Sequence, residues 1–141
     1  MSFSTSSGTE RDDQSQAEEL ELLLTAAVRA ADAKLASNLV ILDVAEVLSV
    51  VDCFIISSGR NTRQVATIVE EIEDGIRRAV GRSPLRIEGL RDATWVLMDY
   101  GDVVVHVFLE ETREYYDLEH LWSTTPRIPV APRLAERAES A

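Results

Sequence analysis

The chain has one cysteine, no glycine-rich loop, no pair of histidines at metal-ligand spacing and no long apolar run. Each lack removes a class of function. A lone Cys53 forbids an intrachain disulfide and suits a reducing compartment. A reactive thiol needs positive neighbours. Asp52 beside it has the wrong sign, so Cys53 is expected in the core. No segment approaches the roughly 20 apolar residues of a membrane span. Met1 to Gln16 has neither the basic start nor the apolar centre of a secretory leader, so the expected address is the cytoplasm.

The same holds for chemistry. Gly59 stands alone before a helical stretch, so neither a Walker-type loop nor a dinucleotide fingerprint is present. The helix start near Asn61, with Arg60 and Arg63, offers an anion no more than any helix start does. His106 and His120 lie on separate elements without a partner histidine one helical turn away. Ser57 and Ser58 lack a nucleophile elbow. No catalytic constellation, metal site or cofactor site is expected. Positive charge is short as well: 14 Lys and Arg against 25 Asp and Glu give a formal net charge of −11. Such a domain repels nucleic-acid phosphates and suits a basic partner, of which ribosomal and chromatin proteins are the commonest.

What is present is ordinary globular material. The 141 residues are enough for one domain with one core. Residues 1–16 are polar without periodicity and predict a disordered extension. Leu20, Leu24, Ala27, Ala31 and Leu35 form one helical stripe within 17–36. Asn38 to Val44 and Asp52 to Ser57 are short apolar strands of the kind buried on both faces. Asn61 and Gln64 have capping-box spacing, and a clear apolar stripe follows from Val65 to Val80. Gly81 and Pro84 end that helix. Gly75 inside it costs about 1 kcal/mol relative to Ala, and close packing on a neighbouring backbone is one use for it. Leu85 to Glu88 predicts a short edge strand, and Tyr115 to Trp122 a short helix. Residues 124–141, with Pro126, Pro129 and Pro132, predict a mobile tail beyond a single domain at 17–123. The fold class is α/β: a mixed sheet of about five strands with packed helices.

The richest stretch runs from Ala93 to Phe108 and predicts a β-hairpin with Tyr100-Gly101 at its turn. That turn pairs Trp95 with His106, Leu97 with Val104 and Asp99 with Asp102. One face then carries Val96, Met98, Val103, Val105 and Val107 and belongs on the core. The other carries Trp95, Leu97, Asp99, Asp102, Val104, His106 and Phe108. Large apolar groups rimmed by charge make a protein-binding patch. Two competing readings attach to this face. Trp95 and His106 are also explained if a helix or terminal tail of the same chain covers them. Asp99 and Asp102 are either solvated turn carboxylates and salt-bridge partners, or magnesium ligands of a nucleotidyltransferase.

Three ordered blocks resemble the ribosomal silencing factor family (RsfS, or Iojap-like). They are Asp52-Cys53-Phe54-Ile55-Ile56-Ser57-Ser58-Gly59 with Asn61-Thr62-Arg63-Gln64-Val65; Glu88-Gly89 with Trp95 through Phe108; and Arg113 through Trp122. The similarity runs from about Leu20 to Trp122 and leaves out the terminal extensions. The resemblance implies a nucleotidyltransferase-like fold without its catalytic carboxylates or activity. It implies a basic partner, protein L-fourteen of the large ribosomal subunit, and a bound factor that blocks joining of the small subunit when nutrients run short. It also implies a homodimer when free. Carried onto the hairpin, the contact residues are Trp95, Leu97, Asp99, Tyr100, Val104 and His106. Trp95 and Leu97 serve as apolar anchors, Asp99 as a partner for Lys or Arg, and Tyr100 as a ring and hydroxyl at the turn tip. His106 is either neutral and packed or a charge switch. Ser58 to Arg63 shape the fold. Besides a surviving transferase, a structural dimerisation module without a ribosomal role is the remaining alternative.

Overall fold

The computed structural model describes residues 2–140, and side chains from 12 to 135. Its elements are α1 (Ser2–Ala33), β1 (Ser37–Asp43), β2 (Cys53–Gly59), α2 (Thr62–Val80), β3 (Arg86–Glu88), β4 (Trp95–Asp99), β5 (Val103–Leu109), α3 (Glu110–Tyr115), α4 (Leu118–Leu121), β6 (Arg127–Ile128) and α5 (Ala131–Ser140). Six strands form one sheet in the order β3-β4-β5-β2-β1-β6. β2 and β5 run parallel at its centre, and the other pairs are antiparallel. The sheet is therefore mixed, with one strand more than the sequence predicts.

α1 and α2 lie on one face of the sheet. Leu23, Leu24, Ala27 and Val28 from α1 meet Ile68, Ile72 and Ile76 from α2 over Ile41, Ile55, Val96, Met98, Val103, Val105 and Val107. Each fully buried aliphatic side chain of this set contributes roughly 1.5–3 kcal/mol. α2 has the termini its sequence predicts. The Asn61 side chain accepts from the Gln64 amide at 2.8 Å, and Gly81 closes the helix in the left-handed region at φ 71°. Gln64 also accepts from the Arg60 amide at 2.7 Å and donates to the Lys34 carbonyl at 3.0 Å, which ties the end of α1 to the start of α2. These bonds occupy the Arg60 and Gln64 amides, two of those near the start of α2. Gly75 faces α1: a Cβ there would stand 3.4 Å from the Ala30 Cβ, so the two helices approach closely at that point.

The other face has a smaller cluster of Leu42, Val44, Ile56, Phe108 and Leu118, with Trp122 against it. The short helices after β5 cover only this end. Arg113, 3 % exposed, fixes them by donating to the Asn38 carbonyl at 2.9 Å, to Ser58 Oγ at 2.8 Å and to the Glu119 carboxylate.

The structure departs from expectation at both ends. α1 starts at Ser2 and takes in the polar segment read as unstructured. Once packed turns nucleate a helix, each added residue gains a backbone bond without needing an apolar stripe. The C-terminal segment is not a free tail. Ile128 and Arg127 pair with Ile41 and Leu42 at the outer edge of β1. α5 packs against α1, where Arg133 holds the Glu21 carboxylate at 2.6 and 2.7 Å.

Candidate docking surface

The hairpin forms, but its turn sits one residue later than predicted. Tyr100 and Val103 close it, with the Tyr100 amide donating to the Val103 carbonyl at 2.9 Å, so Gly101 and Asp102 are the central pair. Gly101 carries φ +92°, and its amide donates to Asp99 Oδ1 at 2.8 Å. The partners become Trp95 with Phe108, Leu97 with His106, and Asp99 with Val104. Every partner moves by two residues. Side chains alternate with period two, so the face assignment survives. Val96, Met98, Val103, Val105 and Val107 all lie in the main core.

Tyr100 corrects the expectation. It is 2 % exposed and belongs to the core under the helices, not to the turn tip. Arg82 stands 5.9 Å from its ring centroid, and burial pushes its hydroxyl up to about 12. It is not available to a partner. The shifted turn explains this, because Tyr100 becomes the last paired residue and points with Met98.

The remaining predicted contact residues share the helix-poor face. Trp95 is 41 % exposed, and its ring rests on Phe108 with centroids 4.8 Å apart. Its indole Nε1 donates to His106 Nδ1 at 3.2 Å. That bond puts the imidazole proton on Nε2. His106 itself is only 6 % exposed, edge-on to Phe54 at 4.8 Å. Burial lowers its pKa to about 4, so of the two readings of His106 the neutral, packed one holds. The indole is thus open while the imidazole beneath it is closed. His106 acts as the acceptor that orients Trp95. Leu97 is partly buried and Val104 is 8 % exposed, so both floor the surface instead of projecting from it.

Asp99 and Asp102 do not converge. Asp102 takes a two-bond contact from Arg82 at 2.7 and 3.2 Å, whereas Asp99 Oδ2 lies 3.4 Å from Arg86 Nε. Each carboxylate has its own arginine, which is the salt-bridge reading. Among the described residues no group of three or more His, Cys, Asp or Glu is placed to hold a metal ion. Cys53 is buried, and burial together with Asp43 raises its thiol to about 11. No helix among the described residues is long and apolar enough to cross a membrane.

Sequence reasoning missed Tyr115, Tyr116 and Leu121. They are 81, 57 and 68 % exposed, and Tyr116 lies 6.2 Å from Trp95 between ring centroids. Two adjacent aromatics, Tyr115 and Tyr116, at the start of a short polar stretch are the available signal.

The family model described as "Ribosomal silencing factor during starvation" matches residues 15–141. The chain belongs to the ribosomal silencing factor family. That match takes in β6 and α5, which the sequence blocks left outside. A ribosomal silencing factor RsfS of Halalkalibacterium halodurans is 41% identical over 106 residues, covering 75% of this chain and 90% of the relative. A crystal structure of a Bacillus halodurans protein superposes with a TM-score of 0.66 at 40% identity, over 77% of this chain and 97% of that one. The mouse protein named mitochondrial assembly of ribosomal large subunit protein 1 is 33% identical over 90 residues, 62% of this chain and 40% of its own length. As a ribosomal silencing factor, the chain has a regulatory role, and the mixed α/β fold is the family's own.

Proposed function

We propose that this ribosomal silencing factor binds protein L-fourteen of the large ribosomal subunit through the face centred on Trp95. From there it blocks joining of the small subunit and represses translation when nutrients are limiting. It works by occupancy in the cytoplasm and catalyses nothing. Trp95, Leu97, Asp99, Val104 and His106 form the contact, with Trp95 as anchor and His106 as its support. The free chain pairs with a second copy.

The open indole carries this reading. A large aromatic held in place by a partly buried hydrogen bond loses little entropy on docking, and such residues commonly dominate binding energy. The net charge of −11 complements a basic ribosomal protein and disfavours direct contact with RNA phosphates. The mouse relative, by its name, serves assembly of a ribosomal large subunit.

The test is co-sedimentation of the full chain with purified large subunits. Trp95→Ala should abolish it while leaving the thermal midpoint within a few degrees, because the ring is partly exposed. Undiminished co-sedimentation would end the assignment of Trp95.

A further inference from the structure

Beside Trp95 the same face opens into a cavity of about 540 Å³. Its floor is Leu97, Val104 and His106, and its walls are Leu48 and Val50 from the turn after β1 and Leu85 from the approach to β3. Val50 is 82 % exposed, Leu85 75 % and Leu48 38 %. One exposed aliphatic residue is ordinary. Three from two distant segments, brought to the rim of one cavity, are a patch. Leu97 is two residues from Trp95 on one strand, so the cavity begins about 7 Å from the indole.

Resting on the docking proposal above, we infer that this groove is the second half of the docking surface. It receives an apolar side chain of the same basic large-subunit protein, with a Lys or Arg beside it. Three observations select this occupant. First, the groove is continuous with the Trp95 surface through Leu97 and His106, so a partner seated on the indole reaches it without a break. Second, the groove's own charges balance, with Arg86 3.4 Å from Asp99, so the field of the whole chain decides, and at −11 it attracts a basic partner. A basic protein is drawn to that field, whereas a second copy of this chain would bring another −11. Third, the lining is aliphatic, with Leu97 and Val104 below and Leu48, Val50 and Leu85 around them, so the groove takes an apolar side chain.

Binding of the full chain to purified large subunits tests this. Val50→Ser and Leu85→Ser remove apolar surface without adding charge, at positions too exposed to threaten the fold. Leu22→Ser, at a residue 57 % exposed on α1 and on the other side of the sheet, is the control. Each groove variant should bind about tenfold more weakly, with the control unchanged. Groove variants that bind within twofold of the parent, while Trp95→Ala loses binding, would overturn the groove and leave the Trp95 surface standing. If Trp95→Ala also binds normally, both fall. If the groove variants weaken only self-association of the free chain, the occupant is a second copy and the inference is wrong.

Discussion

The buried imidazole gives the sharpest quantitative handle. In the folded chain desolvation lowers His106 from an ordinary 6.5 to about 4, and no compensating carboxylate faces it. In the unfolded chain it returns to the ordinary value. Between these limits the unfolded state binds more protons, so acid favours unfolding. Stability is therefore intact above pH 6.5, declines as pH falls, and levels off below about 4. The linkage relation puts the loss at about 2 kcal/mol by roughly pH 5. That corresponds to a drop of about 1 M in the urea midpoint. The carboxylates also respond to acid, so the useful quantity is a difference. Urea melts of the parent and of His106→Gln, each at pH 7.5 and 5, separate the imidazole from everything else. The variant will be weaker at neutral pH, since it loses the ring contacts with Phe54 and Phe108. It should nevertheless be less acid-sensitive than the parent by about 2 kcal/mol. Equal acid sensitivity in the two proteins would refute the claim that His106 is buried neutral, and with it the account of how Trp95 is oriented.

Two further substitutions probe the frame around the site. Gly89 has φ +83°, and a Cβ there would come within 2.2 Å of the Trp95 carbonyl oxygen. Gly89→Ala should cost more than about 2 kcal/mol by denaturant melt and weaken subunit binding, because the atom displaced belongs to Trp95 itself. Asn61→Ala removes the cap of α2 and should cost about 1 kcal/mol with no effect on binding, read from the same two assays.

Much of this was legible because the signals were local. The capping residues and apolar stripe of α2 fall within one continuous segment. The sorting of the hairpin into two faces depends only on parity, which a turn displaced by one residue does not change. What depends on turn position is not legible: the sequence puts Gly101 second in the turn and Tyr100 at the tip, whereas Gly101 comes first. What depended on distance was lost too. The hold of Arg133 on Glu21 spans 112 residues, and no pattern near Pro126 or Pro132 announces it. The groove is lost for the same reason of distance, since Val50 and Leu85 come to one cavity only once the strands beside them are placed in one sheet.

The two margins of the sheet tell a partner where it cannot attach. On one side β3 offers three residues, two of them the charged Arg86 and Glu88; on the other, β6 covers Ile41 and Leu42 of β1 with its own two residues. Among the described residues a visiting chain finds only short rims on which to extend the hydrogen-bond ladder, and stacking into fibres is discouraged for the same reason. On the proposed function, recognition falls to the broad side of the sheet, where contact is made by side chains. A surface of that kind discriminates by shape and chemistry, and so can reject the many extended segments that a bare strand would accept.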